Sequence, residues 1–321
     1  MKVCIYGAGA IGGLLGARLA AAGHSVSVVA RGESMEAIQR QGLGLVVADE
    51  ARFYPVAVAA DPVQLGEQDL VVIAVKQPSL NAILPQIKPL LGPETRVLMA
   101  MNGVPWWFFD GLPDAPLDPV LRTVDPEGTL RDCLASERII GCVIHIAASI
   151  SSPGVSRLNM GNSLILGDAL GGCSALTRQW AQHLSAAGFD TTCSESIQRD
   201  IWFKLWGNMT MNPVSALTGA TTDRILSDPL VRAFCSRAMV EAAQIGSKFG
   251  CAIEQTPEER HAGTLALGAM RTSMLQDLEA GRGLEYEALI GVVHEIADKL
   301  AVECPNIDAI YGMIRLLAEK N

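Results

Sequence analysis

Paired cysteines are missing from this sequence. Its eight cysteines, at positions 4, 133, 142, 173, 193, 235, 251 and 304, never stand as Cys-x-x-Cys and form no Cys/His group with zinc spacing. A metal centre is therefore not expected, and the thiols are expected to be reduced, as in a cytoplasmic protein. Cations are in deficit: 25 Lys and Arg stand against 34 Asp and Glu, a formal charge of −9. That balance argues against nucleic acid as a partner, although a phosphorylated small molecule needs only one or two local cations. No apolar run reaches the ~18 residues of a membrane span. Charged residues make up only 18% against 49% hydrophobic ones, which is too apolar a chain for disorder. Met1-Lys2 and the small, apolar run to Ala22 look superficially like a secretory leader. Arg18 and the glycines at 7, 9, 12, 13 and 16 interrupt it, and suit a tight turn into a helix instead.

What is present is length and alternation. A chain of 321 residues exceeds what one core usually fills. Val3–Tyr6, Ser25–Ala30, Leu43–Ala48 running into Phe53–Ala59, Leu70–Val75 and Arg96–Met101 are short β-branched or apolar runs between helical patterns. They read as buried parallel strands of a βαβ sheet. Residues 104–138 break the rhythm with five prolines and the run Trp106-Trp107-Phe108-Phe109, so an extended insertion is expected there. Strand patterns return at Ile139–Ala148 and Ser163–Gly167, around a helix near Ser174–Ala187. From Ser196 the pattern is helical, with starts signalled by Asp228-Pro229 and by Thr256-Pro257-Glu258-Glu259. Further helices are expected over 285–302 and 307–319. The fold class is thus an α/β Rossmann-type domain over 1–195 followed by an all-α domain over 196–321.

Gly7-Ala8-Gly9-Ala10-Ile11-Gly12 fits G-x-G-x-x-G, a short pattern that gains meaning because a strand precedes it and a helix follows. Gly7 permits the turn, Gly9 lets a pyrophosphate approach, and Gly12 allows close helix packing over a helix N-terminus that favours anions. The second strand ends at Val29-Ala30-Arg31-Gly32, with no carboxylate for a ribose hydroxyl but with a guanidinium suited to a 2′-phosphate. NADP is therefore favoured over NAD.

These segments, with Val75-Lys76, Asn102-Gly103 and the helical second half, together resemble the ketopantoate reductases (2-dehydropantoate 2-reductases). The most specific match is Lys204-Leu205-Trp206-Gly207-Asn208 running on to Asn212-Pro213, and Ser273-Met274-Leu275-Gln276-Asp277 running on to Glu285. The resemblance spans nearly the whole chain except 104–138. It implies NADPH-dependent reduction of a 2-oxo acid to a 2-hydroxy acid, 2-dehydropantoate to pantoate, as in pantothenate biosynthesis. It also implies that Lys204 is the general acid, Asn208, Asn212 and Ser273 bind substrate, Glu285 is an active-site carboxylate, and Lys76 and Asn102 lie near the nicotinamide.

Spacing agrees with this placement. Lys204, Asn208 and Asn212 recur every four residues, so they share one helix face until Pro213 limits the continuation. Three polar groups among Ile201, Trp202, Phe203, Leu205 and Trp206 are unusual on a helix fit for burial, and buried amides need partners. Two features depart from the resemblance. The aromatic, Pro-rich tract after Asn102-Gly103 is long, and Cys142–Ala148 lacks a threonine-rich pattern. The four aromatics are expected either to line a substrate pocket or to form a packing or dimer surface, so a homodimer stays open. A related dehydrogenase with another carbonyl or hydroxy-acid substrate, or a non-catalytic NADP-binding sensor, are the alternatives.

Overall fold

Val3 to Tyr6 are four consecutive buried residues, which a strand accommodates only when both of its faces are covered. They belong to β1 (Lys2–Tyr6), the centre of a parallel array with β2 (Ser25–Val29) on one side and β6 (Gln68–Ile73) on the other. In the computed structural model, which describes residues 1–320, the chain divides into two compact units. One comprises Met1–Met101 and Thr129–Ile197, the other Asn102–Gly128 and Gln198 onward.

Among the described residues the first unit carries a ten-stranded sheet. The remaining strands are β3 (Leu43–Val47), β4 (Glu50–Tyr54), β5 (Ala57–Ala59), β7 (Leu91–Met99), β8 (Ile139–Ser152), β9 (Val155–Asp168) and β10 (Asp190–Cys193). The order is β4-β3-β9-β8-β7-β6-β1-β2-β5, with β10 paired to β9. Register aligns Tyr6 with Val29 and Ile73, and Ile73 with Met99, so these strands end level with one another. Helices α1 (Ala10–Ala21), α2 (Gly32–Gln41), α3 (Leu80–Ile83), α4 (Thr129–Cys133) and α5 (Ala175–Ala186) complete the unit. Leu14, Leu15 and Leu19 of α1 share a core with Ile5, Leu43, Leu164 and Leu166, and all seven are nearly inaccessible.

Two strand expectations are refined. The run 53–59 is not one strand: Ala48 and Asp49 turn the chain at positive φ into the antiparallel β4, and Pro55, which has no amide hydrogen for a ladder, separates β4 from β5. Strands β8 and β9 form a 14-residue antiparallel pair whose outer halves run into solvent, beyond the reach of a burial pattern.

The second unit is helical: α6 (Ile197–Thr218), α7 (Thr222–Ser227), α8 (Pro229–Ser247), α9 (Pro257–Leu265), α10 (Ser273–Glu279), α11 (Val292–Lys299) and α12 (Pro305–Ala318). Asp228 caps α8 through the amides of Leu230 and Val231, and the expected box at Thr256 and Glu259 starts α9. Cys304 gives α12 no cap. Buried Glu241 of α8 accepts from the amides of Asn306 and Ile307 instead, placing a carboxylate at a helix N-terminus. No helix among the described residues is long and apolar enough to cross a membrane, and none of the eight cysteines is in a disulfide.

The proline-rich tract, expected as an insertion in the first domain, is divided. Residues through Gly128 belong to the second unit. Glu295 of α11 accepts from the amides of Arg122 and Thr123, each at 2.8 Å, and Lys299 reaches Asp118. Nor do the four aromatics line an opening: Trp106, Trp107, Phe108 and Phe109 are at most 2% exposed. Phe108 and Phe109 meet Phe249 edge-on, with ring centroids 5.8 and 5.4 Å apart, and Trp202 joins it at 4.9 Å. They are the core of this unit. Phe249→Ala should therefore destabilise the protein by about 3–5 kcal/mol in denaturant titration. A loss below about 1 kcal/mol would show that the cluster holds little together.

Candidate functional site

The glycine turn is built by close contact. Gly7 follows β1 with φ +103°, and a Cβ there would meet the Ala74 carbonyl oxygen at 2.7 Å. A Cβ on Gly12 would fall 2.9 Å from that of Ala74, pressing the first turn of α1 onto the loop after β6. Gly9 differs: it is the N-cap of α1, and no atom lies within 4 Å of where its Cβ would be. Ala8 and Ile11 pack their side chains on the core and the Gly9 carbonyl accepts from Ser156 Oγ at 3.2 Å, so the open space lies on the Cα side of Gly9. With no acidic residue in the first turn and no side chain capping it, the end of α1 keeps its unpaired amides and partial positive charge. This is a cradle that a diphosphate fits.

Arg31 stands two residues past β2, as the N-cap of α2. It is exposed and donates to Gln86 Oε1 at 3.3 Å, an acceptor it shares with the Tyr6 hydroxyl. Burial pushes the Tyr6 phenol above its ordinary pKa, while the charge of Arg31 acts in the opposite direction. Among the described residues no carboxylate pairs with Arg31. Lys76 follows β6 by three residues and is half-buried at the start of a 3₁₀ turn. Both cations thus come from loops at the level strand ends of the first unit.

Asn102 lies in the second unit, where Lys204 Nζ donates to its Oδ1 at 2.8 Å. The turn holding Asn102 is fixed by backbone. Gly103 has φ +87° and a Cβ there would lie 2.4 Å from the Ala288 carbonyl oxygen, which accepts from Val104 N at 2.9 Å. Ala288 is part of a π-helical turn, Glu287–Gly291, where one continuous helix over 285–302 was expected. Glu285 sits half-buried just ahead of that turn, three residues from the pinned carbonyl.

Lys204, Asn208 and Asn212 keep their common face on α6, but Pro213 does not end it. The helix continues to Thr218 with the proline inside. Proline removes one helical hydrogen bond, at Met209. Burial of every residue from Met209 to Ala216 compensates by packing. Asn212 is only 7% exposed, and neither its amide nor that of Asn208 has a hydrogen-bond partner among the described residues. Ser273 is the exposed first residue of α10, whose cap is Thr272, so its hydroxyl is free of capping duty. Sequence reasoning passed over Arg260, whose guanidinium lies against α6 at Gly207. A basic residue in the opening turns of α9 was the available signal. It also gave no spacing for His294, which is 2.8 Å from Asp308 in a cluster with Cys304 that bridges α11 and α12.

Comparison with known proteins matches residues 3–171 to the family described as "Ketopantoate reductase PanE/ApbA" and residues 196–318 to "Ketopantoate reductase PanE/ApbA C terminal". The chain belongs to the ketopantoate reductase family. It is 42% identical to a 2-dehydropantoate 2-reductase of Mesorhizobium japonicum, over 99% of this chain and 98% of that one. A crystal structure from Ralstonia solanacearum MolK2, which carries a provisional ketopantoate reductase name, superposes with TM-score 0.94 and 50% identity over 99% of this chain and 98% of that one. A D-mandelate dehydrogenase solved with NADH and anilino(oxo)acetate superposes at TM-score 0.86 over 100% of this chain and 99% of that one. At 21% identity that likeness is one of fold. As a ketopantoate reductase relative, the chain is a pyridine-nucleotide-dependent oxidoreductase acting on a small molecule.

The contrast between two glycines tests the cradle. Gly9→Ala should leave thermal stability near wild type, since its Cβ enters free space, yet weaken dinucleotide binding measured by calorimetry. Gly12→Ala should lower stability itself. Unchanged nucleotide affinity in Gly9→Ala would remove the turn from the binding site.

Proposed function

We propose that this protein reduces 2-dehydropantoate, or a closely related branched 2-oxo acid, to the 2-hydroxy acid with NADPH, with Lys204 as general acid. The observation that carries this reading is the half-buried Lys204 ammonium, held 2.8 Å from Asn102 Oδ1 on a helix face that also bears the unpartnered amides of Asn208 and Asn212. Gly7 to Gly12 would hold the cofactor's diphosphate, Arg31 its 2′-phosphate, and Lys76 and Asn102 its nicotinamide end. NADPH supplies the hydride when bound.

The chain's own residues supply the rest. The hydrogen bond to Asn102 fixes where Nζ lies, so an incoming carbonyl oxygen meets a positioned ammonium. As negative charge builds on that oxygen, the Lys204 cation stabilises it and then transfers a proton from Nζ to it, giving the hydroxyl. The amides of Asn208 and Asn212 satisfy themselves on the polar groups of the substrate, with Ser273 as a further donor. Glu285 is the carboxylate that favours the charged lysine before each turnover.

Following NADPH absorbance over a panel of 2-oxo acids tests the substrate: turnover of ketopantoate supports the reading, and tight NADPH binding without any turnover points to a sensor. Lys204→Ala should lower kcat by about 10²–10⁴-fold with little change in NADPH affinity. A loss under about tenfold would remove the general-acid role. Arg31→Ala should weaken NADPH far more than NADH. Equal losses for the two would assign the 2′-phosphate elsewhere.

A further inference from the structure

Arg260 has no part in the mechanism above, and among the described residues its guanidinium has no hydrogen-bond or ion-pair partner. It is the fourth residue of α9, after Pro257, Glu258 and Glu259, where the helix dipole disfavours a cation. The side chain is half-buried, with Cζ 5.0 Å from the centroid of the Phe203 ring. A Cβ on Gly207 would stand 2.9 Å from its Nε and 3.0 Å from its Nη2. The absence of a side chain at 207 is what makes room for the guanidinium against α6. Burial pulls its pKa below the ordinary arginine value, and no neighbouring carboxylate opposes that shift. Among the described residues, no acceptor takes any of its side-chain N–H groups.

Gly207 comes three residues after Lys204 and one before Asn208. Helix residues three apart are surface neighbours, with Cβ atoms about 5–6 Å apart. Phe203 and Gly207, the two residues the guanidinium touches, stand on one row of α6, and Lys204 and Asn208 each follow by one residue on the adjacent row that carries the unpartnered amides. Withdrawing a cation from water without an anion or acceptors is unfavourable. Stacking on Phe203 offsets only part of that cost. Two in-plane N–H donors match the spacing of carboxylate oxygens, and this fork is the feature that distinguishes arginine from lysine.

We propose that Arg260 is the anion-binding residue of the substrate site and takes the carboxylate of the 2-oxo acid, while Lys204 addresses the carbonyl oxygen. This rests on the reductase reading and deepens it: Arg260 sets the preference for the acid over a neutral ketone or amide of the same shape.

The test compares wild type, Arg260→Gln and Arg260→Met in steady-state kinetics, each with a turned-over 2-oxo acid and with its uncharged primary amide. Removing the charge should raise KM for the acid by about 10- to 100-fold, with a much smaller change in kcat. The preference for acid over amide should collapse in both variants, NADPH affinity should hold, and guanidinium ion added to Arg260→Ala should restore part of the lost activity. An unchanged KM and an unchanged acid-over-amide preference, in either variant that melts like wild type, would overturn the assignment and leave Arg260 a packing residue on Phe203. A wild-type enzyme that turns over no 2-oxo acid would overturn the reductase reading instead.

Discussion

A lysine side chain has four rotatable carbons, and its ammonium reaches one place only if something at the far end holds it. Here that is Asn102 Oδ1, 2.8 Å from Lys204 Nζ. Both ends of the hydrogen bond rise from anchored backbone. Lys204 rises from a 22-residue helix whose middle is buried on all sides. Asn102 sits in a turn that needs glycine at the next position, because the Ala288 carbonyl occupies the space of a Cβ. That carbonyl belongs to a π turn, further tied by the Tyr311 hydroxyl donating to Glu287 at 2.9 Å. The proton-donor role proposed for Lys204 requires placement to within a fraction of an ångström, and the second unit's irregular backbone suits that requirement.

Much of this was legible beforehand because it depends on local physics. The glycine turn, the strand ends with Arg31 and Lys76, and the caps at Asp228 and Thr256 all arise from residues within a few positions of one another. What was not legible depends on packing between distant segments. Pro213 looked like a stop, yet burial of the flanking residues carries the helix past it. The run Trp106–Phe109 gave no hint whether it faced a ligand, a partner or an interior. Its answer is Phe249, some 140 residues on, with which two of its rings pack. The π turn had no periodic signature over so few residues. Arg260, in a charged Glu-Glu-Arg stretch, resembles any solvated helix start until Gly207 is seen beneath it.

The charge distribution gains meaning once residues are placed. The chain is acidic overall, at −9, yet Arg31 and Arg260 stand without a carboxylate partner among the described residues. In an acidic protein such cations are conspicuous. Beside Arg31 the acceptor is the neutral amide of Gln86 rather than a carboxylate. An amide orients a cation without cancelling its field, so the charge remains available to an incoming phosphate, carboxylate or oxyanion.

The distribution of indoles has an optical consequence. Trp106, Trp107, Trp202 and Trp206 belong to the helical unit, whereas the sheet unit holds only Trp180. All five are at most 3% exposed, and Trp202 packs edge-on with Phe249. Intrinsic emission from this protein therefore reports chiefly on the helical unit. A fluorescence-monitored unfolding curve follows that half, while far-ultraviolet circular dichroism follows both. Divergence between the two signals would measure how tightly the halves are coupled, with no label attached.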